Sequence, residues 1–255
     1  MCERKIRKEI RQKMAEIEEK EQVRILHAVE SGSRAWGFAS PDSDYDVRFI
    51  YVRRKVDYLK IQEHRDVIEW QLDEVLDING WDLKKALLQF RRGNATLFEW
   101  SNSPVVYKTT ETWSRIYEAA KEYFSIKAAA YHYYGTANST YCQFLQGETV
   151  KYKKYFYALR PLLAGQYIER FQCPPPVRFD ELMKMDMPME LRRAIEELLE
   201  LKKKTDEKEL NAPIPVIQAF IQAEIARQKE YVNGLADDRK NDTTGLDAIF
   251  LDVLG

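Results

Sequence analysis

Cysteine and histidine are scarce in this 255-residue sequence, with three of each. Cys2, Cys142 and Cys173 are an odd number with no CxxC spacing, and His27, His64 and His132 are scattered along the chain. This excludes a disulfide framework and leaves too few ligands at useful spacing for a structural zinc site. No stretch approaches the ~20 apolar residues that would span a bilayer, so no membrane association is expected. Met1-Cys2-Glu3-Arg4-Lys5 runs into charge rather than an apolar segment, so no secretory leader is expected, and the chain is read as cytoplasmic. Neither charge sign dominates, with 40 Lys and Arg against 41 Asp and Glu. That balance removes the strong prior for nucleic-acid binding that a very basic chain carries, but it leaves room for a local basic face. Internal repeats and low-complexity tracts are also missing.

What is present is an ordinary apolar content of 45% and two regions of different periodicity. Ile6, Ile10, Met14 and Ile17 form one apolar stripe on a helix ending near Lys20. Val23 to Val29 reads as a strand, followed by a turn-rich stretch of small residues, Glu30-Ser31-Gly32-Ser33-Arg34-Ala35-Trp36-Gly37. From Asp44 to Val52 the pattern alternates, which predicts a strand. Residues 66–70 and 75–78 are shorter strand candidates, and from Trp81 the period turns helical, with Gly93-Asn94 as its cap. Beyond Ser103-Pro104 the sequence reads as helices over 110–123, 125–147, 150–172, 190–203 and 213–231. Cys173-Pro174-Pro175-Pro176 and Asn211-Ala212-Pro213-Ile214-Pro215 interrupt them. The expected fold is α+β: a mixed sheet with flanking helices over residues 1–108, then an all-helical domain over 109–255.

The chemistry is concentrated in Gly32-Ser33 and Asp44-Tyr45-Asp46. Residues i and i+2 of a strand share a face, so Asp44 and Asp46 point the same way. Two adjacent carboxylates repel and are costly to bury unpaired, and a divalent cation resolves the conflict. Hard oxygen ligands suit magnesium, which also binds substrate phosphates. Two such ions, with manganese as the alternative, would activate an attacking hydroxyl and neutralise a leaving pyrophosphate. Gly32 lets the backbone approach a phosphate closely, and the Ser33 hydroxyl can donate to it. A third carboxylate must come from a later strand. Asp77 is favoured by its place at a strand end before a helix, and Asp73 and Glu69 compete with it.

Gly32-Ser33, ten intervening residues, then Asp44-Tyr45-Asp46 resembles the hG[GS]…Dh[DE] signature of the DNA polymerase beta nucleotidyltransferase superfamily. The fuller string from Glu30 to Val52 resembles more narrowly the predicted nucleotidyltransferases related to phage RNA ligase-associated proteins. Further matching stretches at 77–85, 98–100 and 153–163 extend the resemblance from about residue 25 to 170. It implies a minimal mixed sheet with flanking helices. It also implies transfer of a nucleoside monophosphate from a nucleoside triphosphate to a hydroxyl on an RNA end, a protein or a small molecule. By that analogy Asp44 and Asp46 bind the metals and Asp77 completes the triad.

Other residues have two readings each. Arg34 either contacts a phosphate or pairs with Glu30 or Asp42. Lys153, Lys154 and Arg160 share a helix, and Lys154 and Arg160 are expected to reach the triphosphate from the helical domain, the alternative for the lysines being a solvated face. Trp36 either stacks on a base or anchors its loop, and His132 belongs to an aromatic stretch expected to pack. The plain alternative for Asp44 and Asp46 is a solvated edge strand, each meeting water or Arg48. The competing functions are a catalytically inactive nucleotide- or RNA-binding module and a non-catalytic partner in an RNA-repair complex.

Overall fold

The apolar stripe of Ile6, Ile10, Met14 and Ile17 becomes the buried face of α1 (Glu3–Glu21), each residue at most 3% exposed. The computed structural model describes residues 3–40, 43–73, 75–202 and 209–255. Its contacts divide into two compact units. One comprises Met1–Ala35, Ser43–Phe124 and Arg239–Gly255, the other Trp36–Asp42 and Ser125–Asp238.

In the first unit the chain continues through β1 (Arg24–Ser31), the short α2 (Gly32–Trp36, whose last residue falls in the second unit) and β2 (Tyr45–Val52). One turn of helix, α3 (Lys55–Tyr58), precedes the β3–β4 hairpin (Val67–Leu72 and Leu76–Asp82). Then come α4 (Leu83–Arg91), α5 (Ala95–Ser101), β5 (Val106–Thr109) and α6 (Glu111–Ala120). The five strands lie in the order β3-β4-β2-β1-β5, with β2 and β4 parallel and the other neighbours antiparallel. β2 is therefore central rather than an edge strand, although Asp46 meets Arg48 and Asp44 is exposed, as the plain alternative expects.

Alternation along β2 feeds two cores. Tyr45, Val47, Phe49 and Tyr51 join the α1 stripe, while Ile50 and Val52 pack with Leu83, Leu87 and Phe90 of α4 and Trp113 and Ile116 of α6. Close approach is decisive at Gly80 of β4, where a Cβ would sit inside the Phe49 ring.

The second unit is helical: α7 (Ile126–Phe144), α8 (Tyr152–Phe171), α9 (Phe179–Leu182), α10 (Met189–Lys202) and α11 (Pro215–Gly234). Phe38 wedges between Phe156 and Phe179, at 5.1 and 5.6 Å between ring centroids, and its carbonyl accepts from the Lys202 ammonium at 2.6 Å. Trp36 packs edge-on to Tyr157 at 5.6 Å, so within this unit it anchors its loop. On α7, Tyr133 is buried as the aromatic reading expects, but Tyr131 and His132 are exposed.

The chain closes with α12 (Thr244–Leu254). The division at residue 108 is corrected. α6 and α12 belong with the sheet, because Trp113, Ile116 and Leu246 complete the core above β2. β5 was missed because its four residues, Val-Tyr-Lys-Thr, are too few to show a period.

His27 in β1 is buried in this unit, stacked on Trp113 with centroids 5.0 Å apart, and its nitrogens meet the Thr109 hydroxyl and the Trp100 carbonyl. Burial lowers its pKa from 6.5 to about 4. The fold thus holds the neutral ring: its stability is intact above pH 6.5 and is lost as pH falls through 6.5 toward 4. The two pKa values correspond to about 3 kcal/mol. Comparing wild type with His27→Gln cancels the titrations common to both. The stability advantage of wild type is expected to shrink by about that amount between pH 7.5 and pH 4 in urea unfolding. A constant difference across that range would refute the account.

Candidate active site

The carboxylates gather at one end of the sheet because of strand register. Parallel pairing of β2 with β4 sets Asp46 directly beside Asp77, and antiparallel pairing with β1 sets Ser31 beside Asp46. Leu76 and Ile78 face the α1 core, so Asp77 faces the other way, as Asp46 does.

The turn after β1 is shaped by the same crowding. Gly32 has φ +61°, and a Cβ there would overlap the Asp46 carboxylate. Only glycine meets both conditions. Ser33 follows at the start of α2 and is 7% exposed. Gly32→Ala is expected to cost at least the ~1–2 kcal/mol of a left-handed non-glycine residue. Denaturant unfolding would measure it, and an unchanged midpoint would show the turn to be adaptable.

Beneath this turn lies Glu30, 1% exposed. Its Oε1 accepts from the Asp46 backbone N–H at 2.7 Å, and its Oε2 accepts from the Tyr107 hydroxyl. Its own backbone is held by the Val105 carbonyl at 2.9 Å and the Ser103 hydroxyl at 2.6 Å. Burial pushes the Glu30 carboxyl up to about 7, against the two hydrogen bonds that favour its charged form. The Glu30–Tyr107 pair was missed in the sequence. The available signal was a glutamate following the mostly apolar stretch Ile25–Val29, since a carboxylate buried there needs a partner.

Asp46 is half-buried, and its pKa is raised. Burial is the largest cause; Arg48 opposes it, and the charges of Asp77 and Asp44 add to it. Arg48 bridges the pair, with Nη2 3.2 Å from Asp46 Oδ1 and 2.6 Å from Asp77 Oδ2, and Nη1 donating to the Asp77 carbonyl at 2.9 Å. Asp44 is exposed, just ahead of β2.

The competitors for the third carboxylate are committed elsewhere. Asp73 accepts from the Val75 and Leu76 backbone N–H groups, both at 2.8 Å, and shapes the β3–β4 turn. Glu69 lies on β3 opposite Asn79, exposed and 3.7 Å from Arg65.

Arg34 is held by backbone carbonyls at the approach to β2. Its Nε donates to the carbonyls of Ser43 at 3.1 Å and Asp44 at 3.0 Å, and its guanidinium lies 3.8 Å from the Tyr45 ring centre. It fixes the approach to β2; Asp42, its other expected partner, lies outside the described residues.

Lys154 and Arg160 belong to the helical unit. The Lys154 ammonium lies 3.8 Å from the centre of the Phe144 ring, and burial, with Lys153 and Lys151, lowers its pKa. Arg160 is 3% exposed, donates Nε and Nη2 to the Val177 carbonyl at 3.1 Å each, and covers Trp36 at 4.5 Å. As placed, Arg160 serves the packing of its own unit.

Among the described residues, no group of three or more His, Cys, Asp or Glu side chains is gathered to hold a metal. The donor chemistry of Asp46 and Asp77 nevertheless fits a hard divalent cation: two anionic oxygens in register already draw a positive charge between them, here that of Arg48. Magnesium needs only one or two carboxylates, with waters and substrate phosphates completing its shell.

Residues 6–252 match the RNA repair pathway DNA polymerase beta family. The chain belongs to that family. The resemblance read from Gly32-Ser33 and Asp44-Tyr45-Asp46 is thereby borne out, and membership supports a nucleotidyltransferase-like transferase at the coarse level. An uncharacterized protein of Bacillus subtilis (strain 168), YcgL, is 44% identical over 240 residues, covering 93% of this chain and 92% of that protein. A solved nucleotidyltransferase-like protein from Exiguobacterium sibiricum aligns over 96% of this chain and 79% of its own, at 10% identity and a TM-score of 0.28, too distant to bear on the fold. No described helix is long and apolar enough to cross a membrane.

The bridging arginine yields a direct test. Arg48→Gln would leave Asp46 and Asp77 repelling each other, and is expected to lower the thermal midpoint in metal-free buffer. Millimolar magnesium is then expected to raise the variant's midpoint more than the wild type's, because the cation replaces the lost charge. Equal magnesium effects on both proteins would show that the pair does not take the ion.

Proposed function

We propose that this protein transfers a nucleoside monophosphate from a nucleoside triphosphate to a hydroxyl acceptor, using the end of the sheet where Gly32, Ser33, Asp44, Asp46 and Asp77 are found. The observation that carries this reading is the register of Asp46 against Asp77 beside a glycine turn with no room for a side chain. Family membership supports it independently.

The backbone N–H groups of the Gly32-Ser33 turn and the Ser33 hydroxyl hold the phosphates. Asp46 and Asp77, with Asp44 just ahead of β2, would hold magnesium or manganese. Bound there, the cation would supply charge for the leaving pyrophosphate and acidify the acceptor hydroxyl. The acceptor oxygen forms the new bond to the α-phosphorus, the bond to pyrophosphate breaks, and a carboxylate of the pair receives the hydroxyl proton. Arg48 compensates the two carboxylates and braces Asp77 through its carbonyl. Glu30 and Tyr107 hold the β2 backbone that carries Asp46 and touch no substrate. The family's description favours an RNA end as acceptor.

A second reading, an inactive nucleotide- or RNA-binding module, is favoured by one observation: Arg48 fills the space between the carboxylates. Calorimetric titration of each nucleoside triphosphate, with and without magnesium, into wild type and Asp46→Asn separates the two. Transfer requires magnesium-dependent binding that weakens at least tenfold in the variant, with pyrophosphate release when an RNA acceptor is added. Binding that ignores both magnesium and the substitution would establish the inactive module instead.

A further inference from the structure

Residues 145–151 join α7 to α8 and are braced by an antiparallel bridge between Val150 and Asn211, with backbone bonds of 2.8 and 2.9 Å. Beside this bridge, wholly within the helical unit, is a cavity of about 480 Å³. Lys151, Lys153 and Lys154 line it, and among the described residues no Asp or Glu does. The whole chain has as many acidic as basic residues to within one, so this surplus is local. The first turn of α8, which begins here, contains no acidic residue either.

Lys154 is the decisive residue. It is half-buried, and among the described residues neither it nor Lys151 forms an ion pair. Its ammonium lies 3.8 Å from the centre of the Phe144 ring and 5.5 Å from that of Tyr157. Ring faces attract a cation without neutralising it. Burial lowers the Lys154 pKa, and the like charges of Lys153 and Lys151 lower it further. Lysines that serve the fold elsewhere have an acceptor: Lys108 meets Glu18 at 2.7 Å, and Lys202 meets the Phe38 carbonyl at 2.6 Å. A half-buried cation pressed against others of its sign is unfavourable until an anion is shared among them.

The cavity also offers a ring. Phe144, at the end of α7, is 44% exposed, and the exposed amides of Gln143 and Gln146 stand beside it.

We propose that this cavity receives a single-stranded nucleic acid, with Lys151 and Lys154 on its backbone phosphates and the Phe144 ring against a base. Cations beside an exposed ring are the combination that single strands use, because the phosphates take the charge and every base has a face to stack. Two or three lysines suit a contact of a few nucleotides, which a chain of balanced overall charge can hold without a long basic groove. The preference for RNA over DNA rests on the proposed transfer reaction; the phosphate and ring contacts do not.

The test is calorimetric titration in low-salt chloride buffer, without added metal or nucleoside triphosphate. A ten-nucleotide single-stranded RNA and inorganic tripolyphosphate are titrated into wild type, Lys151→Gln/Lys154→Gln, Phe144→Leu and Asp46→Asn. RNA is expected to bind wild type and Asp46→Asn alike, and the double variant at least tenfold more weakly. The logarithmic salt slope of RNA binding is expected to fall by about 1.4 in the double variant, the loss of two single-strand phosphate contacts. Phe144→Leu is expected to weaken RNA binding at least fivefold with the salt slope unchanged. Because the lysines have no carboxylate to lose, the double variant is expected to keep or raise the wild-type thermal midpoint. A lowered midpoint would show that they serve the fold and would overturn the proposal. So would equal RNA binding by wild type and the double variant, or no RNA binding by wild type. Tripolyphosphate held by the two lysines while RNA is not would assign the cavity to a free polyphosphate and overturn the strand. Since the readout uses neither metal nor triphosphate, loss of the transfer reading would leave this result intact.

Discussion

The parallel pairing of β2 with β4 forces two carboxylates, Asp46 and Asp77, into neighbouring positions on one face of a sheet. Much of the local structure follows from what that proximity demands. Like charges so close are unfavourable unless a cation compensates them, and Arg48, two residues along the same strand, lies in position to do so. The glycine at position 32 is required by the same crowding, since the carboxylate of Asp46 fills the volume a side chain would need. The site is thus a compact conflict of charge and volume, held in place by a ladder of backbone hydrogen bonds.

That ladder is fixed from below by a second buried carboxyl. Glu30 binds the Asp46 N–H with one oxygen and the Tyr107 hydroxyl with the other, tying β1, β2 and β5 together at the level of the site. A neutral apolar residue at position 30 would be cheaper to bury but could not accept either bond. The expense is consistent with a position kept for geometry: removing Glu30 would free the backbone that aims Asp46. Buried charge therefore lies at the end of the sheet that carries Asp46 and Asp77, while the two cores on either side of β2 are conventionally apolar.

Much of this was legible in the sequence because the signals were local. The α1 stripe, the alternation of β2 and the Gly32-Ser33 and Asp44-Tyr45-Asp46 motifs each declare themselves within a few residues. Helices α7, α8, α10 and α11 were legible for the same reason, being long and bounded by proline-rich breaks. What escaped was decided by contacts distant in sequence. β5 is four residues long and becomes a strand only by pairing with β1, while α12 acquires its meaning from a core built more than a hundred residues earlier. Arg34 and Arg160 illustrate the same limit: their guanidiniums donate to the carbonyls of Ser43, Asp44 and Val177, partners that no local pattern shows. A sequence shows that a donor exists, but not which buried acceptor has already claimed it.

The contrast between those arginines and Arg48 gives a rule for reading the surface of this unit. A guanidinium whose donors end on backbone carbonyls is fixed by the fold, because leaving would strand an acceptor as well as a donor. One whose donors end on carboxylates is exchangeable, since any cation of suitable size can take its place. Arg48 mixes the two, holding the Asp77 carbonyl with Nη1 and the two carboxylates with Nη2. Its inner contact can persist while its outer one is surrendered, so the same residue can stabilise the empty pair and remain as a brace when another cation arrives.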